Sequence, residues 1–391
     1  MNEMLRKLFQ RGIDLVSQSP RSLTVFTLGL VAMVVAGGVV TAIAPERQPP
    51  ILTLAGMSAE DAQALAQESS LYVEFDYQVG QSLSDAPSVG PVYRLELAGD
   101  PLDLLVSLGR TFDVSGTPQK SEYFDQQWPG YVLGPQDWSG PSLTLNWKGT
   151  GSWYYSDPSA YQDPVCEEVL DESSPEGVTF ECENPSAGEA LPTPEQARSF
   201  AAETFGATGF PIGSEDIHVL VNDEWGIGVS ASVEVEGFPT ALEWTMFWAP
   251  GPILASVSGH AGVPVKVGDF ATMSPRGAVE RLGSSIWWGS VAAEYYTEEG
   301  SEHAHDDLDY LAEAEGLMPQ PGEVIEVIVN DSEPTVVMVW DSDGAAWIVP
   351  GYLMRFGEDI WDSAAVVSLS DQAITIAPPV SVDLMDPERE R

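Results

Sequence analysis

The residues best equipped for chemistry lie together at 302–307, Glu302-His303-Ala304-His305-Asp306-Asp307. Imidazoles and carboxylates this close can hold Zn²⁺ or Ni²⁺. His303 and His305 are two residues apart, so a strand would place them on one face and a helix would separate them. The DDLDYLAEAEG pattern that runs on from Asp306 favours a helix. His303, His305, Asp306 and Asp307 are therefore the metal candidates, but the segment reads better as a solvated acidic insertion, and no cofactor is expected. His218 sits inside the apolar run IHVLV and reads as a structural strand residue, and His260 follows VSG and reads as a turn residue. Nucleophilic hydrolysis needs a base held against the nucleophile. No G-x-S-x-G elbow occurs, nor a G-x-x-x-x-G-K-[ST] loop for a nucleotide. Asp and Glu number 60, too many for spacing alone to single out a glycosidase pair. Asp341-Ser342-Asp343-Gly344 imitates the start of a calcium loop, but Tyr352 stands where the bidentate Glu belongs, so a hairpin turn is expected. The sequence predicts no catalytic site.

Two cysteines, Cys166 and Cys182, enclose 15 residues that are acidic and rich in turn formers. Without a C-x-x-C spacing or a nearby His, the pair reads as a disulfide. Closing such a loop contributes roughly 3 kcal/mol. Aromatic residues crowd one region: Trp128, Trp138, Trp147, Trp153, Tyr154, Tyr155 and Tyr161. Such side chains stack on sugar rings or anchor a partner. Alternation on strands would bury some and expose their neighbours. Trp287 and Trp288 are adjacent, so only one can readily face a core, and the pair supplies candidate contact aromatics.

The elements that must position these groups start with an anchor. Residues 22–44 carry no charge. As a helix this run reaches about 35 Å, enough to cross a hydrocarbon core of about 30 Å. It is long for a signal peptide, and Pro45 follows the small-x-small imitation Ala42-Ile43-Ala44, so a retained span is favoured over cleavage. Arg6, Lys7, Arg11 and Arg21 precede the run, which places the N-terminus in the cytoplasm and the bulk of the chain outside the cell. Small residues at Ala32, Ala36, Gly38 and Ala42 suit a homodimer packed through this span. Lys and Arg total 16 against 60 acids, a net charge of −44. Residues 45–391 hold a net −46, which excludes nucleic acid as a partner. Hydrophobic residues at 43% exclude global disorder.

The expected fold is α+β: one N-terminal transmembrane helix, then about three helix-plus-antiparallel-sheet units. Residues 1–21 form a cytoplasmic tail, 22–44 the span and 45–70 a stalk. The first outer unit covers 71–190 with the disulfide loop, the second 191–271, and the third 272–380 with an insertion at 283–322. Residues 381–391 form a frayed tail. Helices are predicted after Asp100, Thr193 and Ser274, each a capping residue followed by Pro.

The layout resembles a family of uncharacterised single-pass membrane proteins of actinobacteria. The resemblance is carried by the 22–44 run, PVYRLEL at 91–97, GTGSWYYSD at 149–157, TPEQAR at 193–198, VKVGDFATMSPRGAVERL at 265–282 and WIVPGYLMRF at 347–356. These are scaffold motifs, and the family supplies no agreed activity. The second unit also resembles a PepSY-type module, which implies an association with bacterial envelopes. The expected function is a membrane-anchored extracytoplasmic module, not an enzyme, that binds a protein or peptide of the cell envelope. The alternatives are a transmembrane signalling regulator, anti-sigma-like, and an envelope hydrolase. Thiol labelling of intact cells is expected to find neither Cys166 nor Cys182 free; a free thiol reached only from the cytosol would reverse the assigned orientation.

Overall fold

A computed structural model of the chain describes residues 50–56, 74–124, 126–161, 165–170, 178–183, 191–222, 226–250, 253–296, 324–356 and 363–378. The chain opens with β1 (Leu52–Leu54), β2 (Glu74–Val79), β3 (Val89–Glu96) and helix α1 (Pro101–Thr111). A run of four strands follows: β4 (Gln119–Lys120), β5 (Gly130–Leu133), β6 (Ser142–Asn146) and β7 (Ser152–Ser156). The hairpin β8 (Val165–Leu170) and β9 (Val178–Glu183) leads to helix α2 (Pro194–Ala207). A second run of four comprises β10 (His218–Asn222), β11 (Gly226–Val235), β12 (Phe238–Trp248) and β13 (Leu254–His260). β14 (Val263–Ala271) and helix α3 (Pro275–Ala278) come next. The last strands are β15 (Val324–Val329), β16 (Asp331–Trp340), β17 (Ala346–Arg355), β18 (Ser363–Val367) and β19 (Ile374–Ile376).

The architecture is mostly β, with 47% of the described residues in strands. This corrects the expected α+β chain of a transmembrane helix and three helix-plus-sheet units. Among the described residues only three α-helices occur, and the third spans four residues. None of them is long and apolar enough to cross a membrane, and the expected span at 22–44 lies outside the described residues. The physical reason is long-range pairing. Of the strands expected to form a third unit, β16, β17 and β18 share their sheet with β3, more than 200 residues upstream, and β15 pairs with β2.

The two four-strand runs merge into one antiparallel sheet of order β10-β11-β12-β13-β7-β6-β5-β4. Each run is preceded by a capped helix. Asp100 accepts a hydrogen bond from the Leu102 N–H at 2.8 Å and starts α1. Thr193 and Gln196 cap each other's backbone N–H groups and start α2, with Pro194 in the first turn. Leu105 and Leu108 of α1, and Ala197, Ala201 and Phe205 of α2, are buried in a single core. That core takes Leu143, Leu145, Trp153, Tyr155, Val229, Trp244, Met246 and Val257 from the sheet. Strand alternation sends the intervening residues to the opposite face. There the register lines up His218, Ser230, Thr245, Ser258, Tyr154 and Thr144 in one transverse row across six strands.

The second sheet has order β14-β3-β17-β16, with β18 sharing β17's edge beside β3. Val336 and Met338 of β16 and Ile348 of β17 meet Val235 and Leu242 from the β11–β12 hairpin. Their neighbours Val337, Val339, Trp347 and Val349 face a second core with Leu52, Leu54, Ala365 and Ile374. Burial on both faces explains why TVVMVW and AAWIV are unbroken apolar runs. β1 pairs in parallel with β19, and β2 with β15. In the β8–β9 hairpin the register sets Cys166 directly opposite Cys182, and Cys166 is disulfide-bonded.

The seam between the two runs is the β7–β13 pair, which holds Gly259 opposite Trp153. A Cβ on Gly259 would overlap the indoles of both Trp244 and Trp153. Gly259→Ala is expected to destabilise the chain by roughly 2 kcal/mol through overpacking, read as a lower urea midpoint.

Candidate functional site

At one end of the large sheet lies a cleft of about 260 Å³, lined by Phe210, Ile212, Asp216, His218, Ser232, Glu234, Pro239 and Glu294. Several elements converge to make it. The turn after α2 brings Phe210 and Ile212, whose apolar side chains pack against the helix-side core. Phe210 stacks on Trp244 with ring centroids 4.5 Å apart. β10 supplies His218, and β11 supplies Ser232 and Glu234 at a bulge between Ser232 and Glu234. Such an irregularity re-aims side chains at a strand end. The remaining wall is the short 3-10 turn Ala293–Tyr296.

That turn is stitched to both sheets. Ser290 exchanges two backbone hydrogen bonds with Met338 of β16, at 2.9 and 2.7 Å. The Ala293 N–H donates to the Glu243 carboxylate of β12 at 2.7 Å, and Ser232 Oγ donates to the same oxygen at 3.5 Å. Burial pushes the Glu243 carboxyl above its ordinary range, and these two donors only partly oppose it. Glu294 is also raised, first by burial and then by Glu234, Glu243 and Glu333 nearby. Two basic side chains approach this cluster. His218 Nε2 lies 3.9 Å from a Glu294 oxygen, a pair that gains charge attraction only with the imidazole protonated, and Arg355 pairs with Glu333 at 3.3 Å.

The cleft can therefore do one thing well. Its apolar floor of Phe210, Ile212 and Pro239 suits a methylene stem, and its carboxylates suit a cationic head. Among the described residues no group of three or more His, Cys, Asp or Glu is arranged to hold a metal ion.

The residues singled out from the sequence are scattered. His303, His305, Asp306 and Asp307 lie outside the described residues. Trp287 packs under Arg281, whose guanidinium sits 4.1 Å from the ring centroid. Trp288 is 46% exposed, and its Nε1 donates to the Leu282 carbonyl at 3.2 Å. Neither lines the cleft. Trp153 and Tyr155 are buried, while Tyr154 faces solvent between them. His260 is held near Trp244, its Nδ1 3.0 Å from Thr150 Oγ1, and burial lowers its pKa to about 4. Sequence reasoning missed the cleft because it took His218 as structural. A usable signal was the lone carboxylate, Glu243, inside the apolar run ALEWTMFW. No protein-family model matches the chain, and no curated protein matches it.

Half-buried His260 and the more exposed Glu294 set opposite pH trends. His260 stays neutral in the fold down to about pH 4, whereas the unfolded imidazole takes a proton near its ordinary 6.5. Stability is thus lost as pH falls from 6.5 toward 4, by on the order of 3 kcal/mol. Glu294 has a raised pKa, so stability is lost as pH rises through its ordinary 4.5 toward the folded value. Unfolding by urea across this range is expected to show His260→Gln removing much of the acid-side loss, and Glu294→Gln gaining stability at neutral pH with no gain below the carboxylate range.

Proposed function

We propose that the chain is a non-enzymatic module, held outside the cell by an anchor at 22–44, that binds a protein or peptide of the envelope. The cleft takes a Lys or Arg side chain of that partner. The observation that carries this reading is the convergence of Glu234, Glu243, Glu294 and Glu333 around one wall, where burial raises Glu243 and Glu294. An incoming cation would offset the repulsion that Glu234, Glu243 and Glu333 exert on Glu294 and favour its charged form. The apolar floor gives the stem of such a side chain a place to be buried. The surrounding charge of −44 speeds the approach of a cationic partner and repels an anionic one.

The localisation in this proposal rests on the charge asymmetry about residues 22–44, with four cations before the run. The disulfide of the β8–β9 hairpin suits the same compartment.

The test uses the full chain in detergent and the peptide Gly-Arg-Gly-Arg-Gly, with a citrulline version as the neutral control. Calorimetry is expected to show binding of the arginine peptide alone, weakened about tenfold by Glu294→Gln and by Glu234→Gln. Higher salt is expected to weaken it further. Equal binding of the citrulline peptide, or variants that bind as the wild type does, would remove the cleft as the site.

A further inference from the structure

The two outer edges of the larger sheet differ. At one end β4 is two residues long and carries Lys120. Short length and charge stop an edge strand from templating another. At the other end β10 runs five residues, His218–Asn222, with neither Pro nor Lys. Among the described residues no strand pairs with its outer side. β11 takes the N–H and C=O groups of alternate β10 residues along five register pairs, so those of the intervening residues point away from the sheet. Arg198 Nε donates to the Ile217 carbonyl at 3.3 Å, so the open stretch starts at His218.

The apolar layer is also unfinished at this edge. The register aligns Trp248, Ile227 and Val221 in one row on the helix side of the sheet. Trp248 and Ile227 are buried, whereas Val221 is 50% exposed. Phe200 of α2, edge-on to Trp248 with ring centroids 5.7 Å apart, is 47% exposed beside the same row. Val219, two residues before Val221, packs partly against the helix-side core. On the opposite face of β10, His218 opens into the cleft with Asp216, Glu234 and Glu294.

We infer that the cleft's partner binds as an added strand: an extended peptide pairs antiparallel with β10 and lays a Lys or Arg into the cleft. This rests on the reading of the cleft as a cation site. Each observation selects part of the occupant. Unpaired backbone groups at strand spacing are met in full only by another extended chain. Every pair in this sheet is antiparallel, and an added strand continues that pattern. Val219 and Val221 select apolar residues at alternate positions, because directly opposed residues share a face. The carboxylates beside His218 select a cation on the other face. His218 starts β10, so an antiparallel peptide brings its C-terminal end there. The sequence that fits is apolar-x-apolar-cation, read toward the C-terminus.

The full chain in detergent is titrated by calorimetry with acetyl-Ser-Val-Thr-Val-Arg-Gly-amide, with Gly-Arg-Gly-Arg-Gly as the reference. The alternating peptide is expected to bind about tenfold tighter or better. Two further versions carry backbone N-methyl groups, one on both Val residues and the other on Thr and Arg. One of the two is expected to lose the gain and the other to keep it, since only alternate N–H groups face β10. Val221→Ser is expected to weaken the alternating peptide about fivefold, with circular dichroism unchanged. Binding no tighter than the reference, or equal binding of both N-methyl versions, would overturn strand addition and leave the cleft standing. A citrulline version that binds as tightly as the arginine peptide would strike the cleft and this inference together.

Discussion

The fold turns on the pairing of β7 with β13. Each four-strand run ends in a strand with one side unpaired, and a row of bare N–H and C=O groups is costly to bury and hazardous to expose. The five register pairs from Ser256–Ser156 to His260–Ser152 close both edges against each other. The result is one continuous eight-stranded sheet with both helices on the same face, so a single core serves α1 and α2. Trp153 and Trp244 meet across this seam, which is why position 259 has room for nothing beyond hydrogen. Continuity of the sheet also produces the long polar row on its other face, because register carries through all six strands without a break in facing.

The second sheet solves a different problem. Its central strands are covered on both sides, so it depends on material from distant parts of the chain. The β11–β12 hairpin supplies one cover, and β1, β19 and the segment at Val291 supply the other. Its exposed edge, β14, carries Pro264, a register shift at Lys266 and Gly268, and ion pairs from Lys266 to Glu236 and Asp269. Proline, charge and irregularity are the devices that stop an edge from templating another strand. The cleft arises at the meeting of these two solutions. The residues that stitch β16 to β12 carry Glu294 into a neighbourhood already occupied by Glu234 and Glu243. The acidity of the site follows from how the sheets are joined.

Local features were legible in the sequence. Asp100, Thr193 and Ser274 were readable as helix starts because a capping side chain followed by Pro is a short-range signal. Asp341-Ser342-Asp343-Gly344 was readable as a turn from its residue types alone. The partners of the strands were not. PVYRLEL alternates cleanly, but nothing in it says that β3 lies between β14 and β17. TVVMVW has no polar complement at all, so it reveals neither its faces nor its neighbours. Reading each helix with the strands after it therefore implied a third unit that the chain does not build. His218 lies on a strand, as expected, but its facing was not legible. Its apolar neighbours Ile217 and Val219 point to the core, and that very alternation turns the imidazole outward.

The parallel pairing of β1 with β19 ties the first described strand to the last. A force applied along the chain from its N-terminal side reaches the body first through β1. Because the two strands run in the same direction, opposed pulls on the N-terminal end of β1 and the C-terminal end of β19 slide one past the other, and all three register pairs share the load at once. Peeling would instead break them in succession. The attachment is short, yet its geometry is the one that resists traction best, and the remaining strands feel tension only after it has given way.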